Sequence, residues 1–266
     1  NVLKKIAALG TVDDITVFMN SPPSNMTVSG KTYGLGDIKS NLRPDKYQDY
    51  AKYVVDVVEA CLNDGIPVKY VSPINEPQWD WIGDGQEGCH YEPDEALRIC
   101  RLVIAELNSR DLDVKVSLPE TAQWSSKDYT FDLYEDAVND PEIRPYIDHF
   151  AGHSYGATKG QKQGAHRFID SLGLDNPLPL HQTEWGPSVN GNPSLGIDTA
   201  VQLAKVVYED LTYLEAESWN FWLGVSKYNY SDGLLYVKDD NPNYLKISKR
   251  FWALGNYSKF GLSSFT

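Results

Sequence analysis

Six strand-like runs alternate with six helical segments along this chain of 266 residues. The predicted strands are short, rich in β-branched and apolar residues, and end at Phe18, Glu76, Leu118, Ser154, Glu184 and Leu223. Helical spacing of apolar residues predicts helices over about residues 44–64, 93–109, 128–139, 165–172, 198–214 and 244–257. Repeated strand-then-helix order implies a parallel sheet with right-handed crossovers, so we predict an α/β protein.

The side chains best suited to chemistry fall at the C-terminal ends of these strands, where α/β barrels place their active sites. None of the six strands is followed by the Gly-rich turn that a nucleotide-binding fold requires. We therefore predict a (β/α) barrel over residues 1–260, rather than an open doubly wound sheet, with a tail at residues 261–266.

Two glutamates end two of the predicted strands, and aromatic residues follow both. Glu76 precedes Trp79 and Trp81, and Glu184 is followed directly by Trp185. Period-2 alternation through Glu76 and through Glu184 places each carboxyl group on one face of its strand, and if both faces point into the barrel the two groups meet at its mouth. Hydrolysis of a glycosidic bond needs an acid and a nucleophile or base, and sugar rings pack against indole. The pattern therefore suggests a glycoside hydrolase.

The charge and the remaining candidate ligands narrow the choice of partners. The formal net charge of -13 argues against nucleic acid or an anionic membrane as a partner, and no apolar run is long enough to span a bilayer, so we expect a soluble protein that binds a neutral ligand. Cys89 and Cys100 are either joined in a disulfide or two free thiols. His149 and His153 lie too far apart on one strand to hold an ion without a third ligand, so we predict no metal and no cofactor.

Four strand-end motifs resemble glycoside hydrolase family 30, and the likeness runs over about residues 3–260: Asn20-Ser-Pro-Pro23, Asn75-Glu76-Pro77, Gly152-His-Ser-Tyr155 and Thr183-Glu184-Trp185-Gly186. The resemblance implies a (β/α)8 TIM barrel of the retaining clan, with the six strands matching the family's third to eighth. The first two strands, the flanking β-sandwich and an arginine near the end of the second strand have no counterpart. We therefore expect a partial barrel, as a fragment or as an open variant with two exposed edges.

The resemblance gives Glu76 the role of general acid/base and Glu184 that of nucleophile. It also implies that Asn75 binds the 2-hydroxyl of the sugar or steadies Glu184, although simple alternation would turn Asn75 to the other face of its strand. Tyr155 is expected to donate a hydrogen bond to Glu184. Further substrate-binding candidates are His153, Glu120 as a hydroxyl acceptor in an outer subsite, Asn20, and the sugar platforms Trp79, Trp124, Trp185 and Trp222.

These features predict a monomeric, retaining β-glycosidase that cleaves a polysaccharide. The segments Asn75–Trp81 and Gln86–Tyr91 are most similar to the endo-β-1,6-galactanase branch of the family, while other branches act on β-1,6-glucan, xylan or β-glucosides. A non-catalytic carbohydrate-binding protein on the same barrel is the alternative from another class. The chain does not begin with Met and shows no signal peptide, and a secreted, periplasmic or cell-surface location is expected of a mature form.

Overall fold

The structure is a computed structural model that describes residues 2–12, 14–36, 40–83, 85–124, 127–189 and 191–260. The helices are α1 Val2–Ala7, α2 Tyr47–Asn63, α3 Pro93–Ser109, α4 Asp132–Asn139, α5 Lys159–Ser171, α6 Ile197–Glu209 and α7 Lys249–Phe260. The strands are β1 Ile15–Phe18, β2 Val68–Ser72, β3 Lys115–Val116, β4 Pro119–Thr121, β5 Phe150–His153, β6 Leu180–Glu184, β7 Ser218–Trp219, β8 Val225–Ser226, β9 Leu235–Lys238 and β10 Asn241–Ile247. The predicted tail at 261–266 lies outside the described residues.

Strands β1 to β7 form one wall of parallel strands in chain order. The sheets β1-β2-β3 and β4-β5-β6-β7 meet where the third predicted strand is divided into β3 and β4. The backbone N–H of Glu76 donates to the carbonyl of Glu120 at 2.8 Å, which continues the wall across this division. Within the described part of the chain, β1 and β7 are each paired on one side only. The fold is therefore the predicted partial (β/α) barrel, and the barrel is not closed.

The helices cover the outer face of this wall and enclose a shared apolar core. Helix α3 illustrates why they form: Pro93 occupies its first turn, and Glu92 and Glu95 make a reciprocal capping box. Its buried face includes Ile99, Cys100 and Val103, and the same core contains buried residues of α2 and of the strands. Hydrophobic burial at helical spacing thus fixes this layer against the sheet.

The predicted helix over about residues 244–257 is wrong in its first part. Strands β8, β9 and β10 form a small sheet there, and α7 begins only at Lys249. Strand β10 is exposed along almost its whole length, so it lacks the alternation that identifies a half-buried strand. The buried guanidinium of Arg250 donates to the carbonyls of Ser194 at 2.7 Å and Gly233 at 2.8 Å, which ties α7 to this sheet.

Two other predicted helices have different bounds in the structure. Helix α5 begins at Lys159, before the predicted residue 165. The prediction missed its first turns because they are polar and contain two glycines, so they carry no apolar periodicity. The signal for the earlier start is the capping box of Thr158 and Gln161. The predicted helix over 198–214 consists of α6 and a π-helical turn, Asp210–Leu214.

The structure decides between the two predicted states of Cys89 and Cys100. Cys89 and Cys100 are buried free thiols, and burial raises the pKa of Cys89 to about 11 and that of Cys100 to about 12. Thiols with such pKa values are poor nucleophiles at neutral pH.

Among the described helices, none combines the length and the apolar character needed to cross a bilayer.

Candidate active site

A cavity of about 1130 Å³ lies at the C-terminal ends of the parallel strands. Six of the residues selected from the sequence line it: Asn20, Glu76, Trp79, Tyr155, Glu184 and Trp222. A cavity of this size can enclose several sugar rings, since drug-sized ligands occupy sites of roughly 300–1,000 Å³.

The backbone that leads from strand β2 to Glu76 is irregular. Strand β2 ends at Ser72, so the predicted alternation through Glu76 is wrong. Pro73 has no backbone N–H to continue the ladder, and Glu76 itself has a positive φ of 44°. The irregular ending turns its side chain into the interior, where Glu76 is only 7% exposed. Glu184, by contrast, lies on strand β6 as its last residue.

The carboxyl groups of Glu76 and Glu184 lie close together. An oxygen of each, together with a ring nitrogen of His153, falls within 4.8 Å of the others. Carboxyl groups of inverting glycosidases stand about 6.5–9.5 Å apart to hold a water molecule, while those of retaining enzymes are about 5–5.5 Å apart. The approach of the two oxygens to within 4.8 Å is nearer the retaining geometry than the inverting one.

Glu184 is held in an environment that makes it titrate near neutrality. Burial raises its pKa to about 7, with a further increase from the charge of Glu76. The charge of His153 and a hydrogen bond from Tyr155 act in the opposite direction. The Tyr155 hydroxyl donates to Glu184 Oε1 at 3.0 Å, which is the contact expected from the sequence.

His153 lies beneath the two carboxyl groups and does not line the cavity. Its Nδ1 is 2.8 Å from Glu76 Oε1 and 4.0 Å from Glu184 Oε1, and its Nε2 is 3.4 Å from Glu120 Oε2. Burial lowers the pKa of His153, but the surrounding carboxylates of Glu184, Glu120 and Glu76 outweigh burial and raise it to about 10. The prediction that His153 binds substrate is therefore corrected: it is a buried cation below the site.

Glu120 is also farther inside than its position at a strand end suggested. It is 4% exposed, and it accepts hydrogen bonds from Ser117 at 2.7 Å and from the hydroxyl of Thr183. Although burial opposes ionisation, His153 and these hydroxyls lower the pKa of Glu120. The predicted role in an outer subsite is wrong, because its carboxylate faces the underside of His153 instead of the cavity.

Glu76, His153 and Glu184 are close enough together to surround a metal ion. A histidine ligand must present a neutral ring nitrogen to the metal. Both nitrogens of His153 face carboxylates, and its raised pKa keeps the ring protonated. This donor set therefore fits a protonated histidine between carboxylates and does not fit a metal site.

The tryptophans divide into two groups. Trp79 is 45% exposed in the cavity, and Trp222 lines it with its ring edge-on to Phe18. Trp124 is fully buried, and its Nε1–H donates to Ser154 at 3.0 Å. Trp185 is 4% exposed and packs in an apolar cluster with α6. The predictions of Trp124 and Trp185 as sugar platforms are corrected, since neither ring can present a face to a ligand.

Asn75 makes a contact with a cavity residue, and this contact was not predicted from the sequence. Its Nδ2–H donates to Asn20 Oδ1 at 3.3 Å, and Asn20 is the member of this pair that lines the cavity. Asn75 is 4% exposed. It therefore orients Asn20 in this structure, and no contact with Glu184 is present between the two described side chains.

Several residues that line the cavity were not predicted as site residues: Thr32, Tyr33, Gln86, Glu87, Tyr228, Tyr230 and Asp232. The first four lie on two loops that pack tightly together. A side chain at Gly34 would meet the carbonyl of Asp80 at 2.8 Å, and one at Gly88 would meet the ring of Trp81 at 2.2 Å. The glycines at these two positions are the feature of the sequence that could have indicated the close packing of the two loops. The other three belong to the segment around β8 to β10 that was not predicted as a sheet.

Paired carboxyl groups at the C-terminal ends of parallel strands, beside indole rings in an open cavity, are typical of the glycoside hydrolase class. Residues 3–236 match the family described as O-glycosyl hydrolase family 30. The chain belongs to this family.

The chain is 24% identical over 264 residues to an endo-β-1,6-galactanase of Hypocrea rufa, covering 97% of this chain and 50% of that protein. It is 24% identical over 244 residues to a glucuronoxylanase of Bacillus subtilis, covering 90% and 50%. Among solved structures, a conserved exported protein from Bacteroides fragilis aligns with a TM-score of 0.77 at 21% identity, covering 97% of this chain and 59% of that one. The chain spans about half the length of the curated relatives it matches.

Proposed function

We propose that this chain carries the active site of a retaining β-glycoside hydrolase that cleaves a neutral polysaccharide from within, with Glu76 as acid/base and Glu184 as nucleophile. The observation that carries the proposal is the approach of the two carboxyl groups to within 4.8 Å inside the cavity. That spacing is below the range of about 6.5–9.5 Å that separates the carboxyl groups of inverting enzymes.

In the first step, Glu76 gives its proton to the glycosidic oxygen while a Glu184 oxygen attacks the anomeric carbon. The leaving sugar departs as an alcohol, and the glycosyl group is bound to Glu184 as an ester. His153 contacts Oε1 of Glu76, so the transferable proton belongs on Oε2. Tyr155 and His153 favour the ionised form of Glu184 that this attack requires.

In the second step, water attacks the anomeric carbon from the side that the leaving group vacated. Glu76, now ionised, takes a proton from that water, and the bond to Glu184 breaks to release the sugar with its original anomeric configuration. Esterification removes the negative charge of Glu184, which favours the ionised Glu76 that this step uses.

The charge of the cavity supports a neutral substrate. Its ionisable lining residues other than tyrosine, as far as the structure describes them, are Glu76, Glu87, Glu184 and Asp232, and all four are acidic. The glucuronic acid groups of glucuronoxylan carry a negative charge and would need a cation for recognition. A neutral galactan, such as the name of the Hypocrea rufa relative implies, avoids this repulsion. We therefore favour β-1,6-galactan as substrate over glucuronoxylan.

Two further parts of the proposal concern the setting of the protein. We propose that it acts as a monomer outside the cytoplasm, where polysaccharides of this kind are found. The description of the Bacteroides fragilis neighbour as an exported protein supports this location.

The test is a comparison of β-1,6-galactan, β-1,6-glucan and glucuronoxylan as substrates. We expect short galacto-oligosaccharides from the first, and we expect Glu184→Gln to abolish their formation. Failure to cleave any of the three, with retained binding of galactan, would favour the carbohydrate-binding alternative. Preference for glucuronoxylan would contradict the argument from cavity charge.

The roles of the two glutamates are separated by adding azide to alanine variants with an activated aryl β-glycoside. Glu76→Ala is expected to form the β-glycosyl azide, because azide replaces water in the second step. Glu184→Ala is expected to form the α-glycosyl azide, because azide then attacks in place of the missing carboxylate. The reverse pattern would exchange the two roles.

A further inference from the structure

Glu120 is a buried carboxylate that takes no part in the mechanism proposed above. Glu120 is 4% exposed, lies within the barrel wall on β4, and makes its closest charged contact with His153 at 3.4 Å. Burial of a carboxylate is unfavourable unless the charge is paired and hydrogen-bonded. Its presence directly behind the catalytic pair calls for a physical role.

Hydroxyl groups fix the orientation of Glu120. Ser117 donates to its Oε1 at 2.7 Å, and Thr183 donates to its Oε2. On the far side of Ser117, the ring nitrogen Nε2 of His149 lies 2.9 Å from the Ser117 hydroxyl. Ser117 precedes β4 and Thr183 lies on β6, so donors from two sides fix both carboxylate oxygens of Glu120, and Oε2 lies 3.4 Å from Nε2 of His153.

The contacts of His153 determine where its protons lie. A carboxylate oxygen of Glu76 faces Nδ1 at 2.8 Å, and a carboxylate oxygen of Glu120 faces Nε2. Glu184 is the third carboxylate near the ring, and Tyr155 is edge-on to it. An ionised carboxylate only accepts hydrogen bonds, so satisfying both sides requires a proton on each ring nitrogen. A neutral ring would leave one nitrogen facing a carboxylate without a hydrogen between them.

We propose that Glu120 is a positioning residue for the hydrolysis proposed above: it keeps the His153 ring protonated on both nitrogens, so that Nδ1–H stays directed at Glu76 throughout the working pH range. Through His153 it maintains a fixed positive charge below the two catalytic carboxyl groups. Without Glu120, His153 would gain and lose a proton in the same pH range as Glu184 above it. This inference rests on the proposed function for its role, but the protonation state can be measured without any substrate.

The variant Glu120→Gln separates charge from geometry. The glutamine amide has nearly the same shape and can donate to Nε2 of a neutral ring, so His153 keeps a partner while the negative charge is lost. Ser117→Ala is the matched control, because it removes one hydrogen bond from Glu120 and leaves the charge in place. Circular dichroism of both variants establishes that they fold.

The primary measurement is the ¹H–¹⁵N spectrum of the five histidine rings as a function of pH, with His153 assigned from the variant His153→Asn. In the wild-type protein and in Ser117→Ala, the His153 ring should remain doubly protonated from about pH 5 to pH 9, well above the ordinary titration range of histidine. In Glu120→Gln the ring should titrate within this range, with a midpoint lower by about one unit or more. An ordinary titration of His153 in the wild type overturns the proposal even if Glu120→Gln does not fold.

Activity supplies the second readout. The pH profile of kcat/KM for Glu120→Gln should change shape, because an additional ionisation enters it, while that of Ser117→Ala should match the wild type apart from a constant factor. A uniform loss in Glu120→Gln, with an unchanged profile and an unchanged His153 titration, would leave Glu120 with a structural role only. If no substrate is cleaved, the hydrolase proposal fails, and the ring titration still decides the role of Glu120.

Discussion

Replacing Tyr155 by Phe should shift the pH dependence of hydrolysis in a calculable direction. The Tyr155 hydroxyl donates to Glu184 Oε1 at 3.0 Å, and the Glu184 side chain is only 13% exposed, so water would replace this donor poorly. A hydrogen bond to a charged group contributes about 1.5–3 kcal/mol. At 1.36 kcal/mol for each pKa unit, its loss should raise the pKa of Glu184 by about 1–2 units.

The direction of the shift in the pH profile follows from the role of the Tyr155 hydroxyl. Tyr155 stabilises ionised Glu184, whose pKa is about 7 in the intact site, and removal of the donor means that a higher pH is needed to form the nucleophile. The acidic limb of the kcat/KM profile should therefore move to higher pH by about 1–2 units, with a loss of roughly 10- to 100-fold at pH values below it.

The assay is initial-rate hydrolysis of a soluble oligosaccharide over a series of pH values. Tyr228→Phe is the matched control, because Tyr228 lines the same cavity with its side chain 60% exposed. We expect no displacement of the limb in this control. An acidic limb that stays in place in Tyr155→Phe, or that moves to lower pH, would refute the reasoning that Tyr155 holds Glu184 ionised.

Three further substitutions test the remaining parts of the account. Trp79→Ala should raise KM for the polysaccharide by roughly 3- to 10-fold, since aromatic contacts contribute about 0.5–1.5 kcal/mol beyond burial, and should leave the melting temperature unchanged because the ring is exposed; unchanged KM would remove Trp79 from the substrate site. Trp124→Ala should lower the free energy of unfolding in urea by about 3–5 kcal/mol, because the ring is fully buried, and a loss below 1 kcal/mol would contradict its assignment as a packing residue. Asp210→Ala should cost about 3–5 kcal/mol in the same assay, because Asp210 accepts from the buried Lys162 at 2.9 Å and also from Ser154 and Trp219; a neutral effect would contradict this and show that Glu209, 3.3 Å from Lys162, balances the lysine charge alone.

The parts of the fold that could be predicted are those set by local spacing. The apolar positions of α3 repeat at helical intervals beside a capping box, and its predicted bounds agree with the structure. Glu184 could be placed because it ends a regular strand. The sheet around β10 could not be predicted, because an exposed strand carries no alternation of apolar and polar residues.

The parts of the site that could not be predicted depend on what packs over each side chain. Trp79 and Trp124 are the same residue type in similar loop contexts, yet one is exposed in the cavity and the other is covered on all sides. Glu120 and Glu76 both stand at predicted strand ends, but Glu120 lies on β4, beyond the break that follows β3, with its carboxylate under His153. The sequence contains these residues, whereas their burial depends on contacts among distant segments.

The central claim, that Glu76 and Glu184 are a retaining pair, is tested most directly by the anomeric configuration of the first product. Hydrolysis of a β-1,6-galacto-oligosaccharide would be followed by ¹H NMR from the earliest time points, before mutarotation equilibrates the anomers. The account predicts that the β-anomer appears first and that the α-anomer grows only later, because two displacements at the anomeric carbon restore its configuration. An α-anomer formed first would show a single displacement by water and would contradict the nucleophilic role of Glu184.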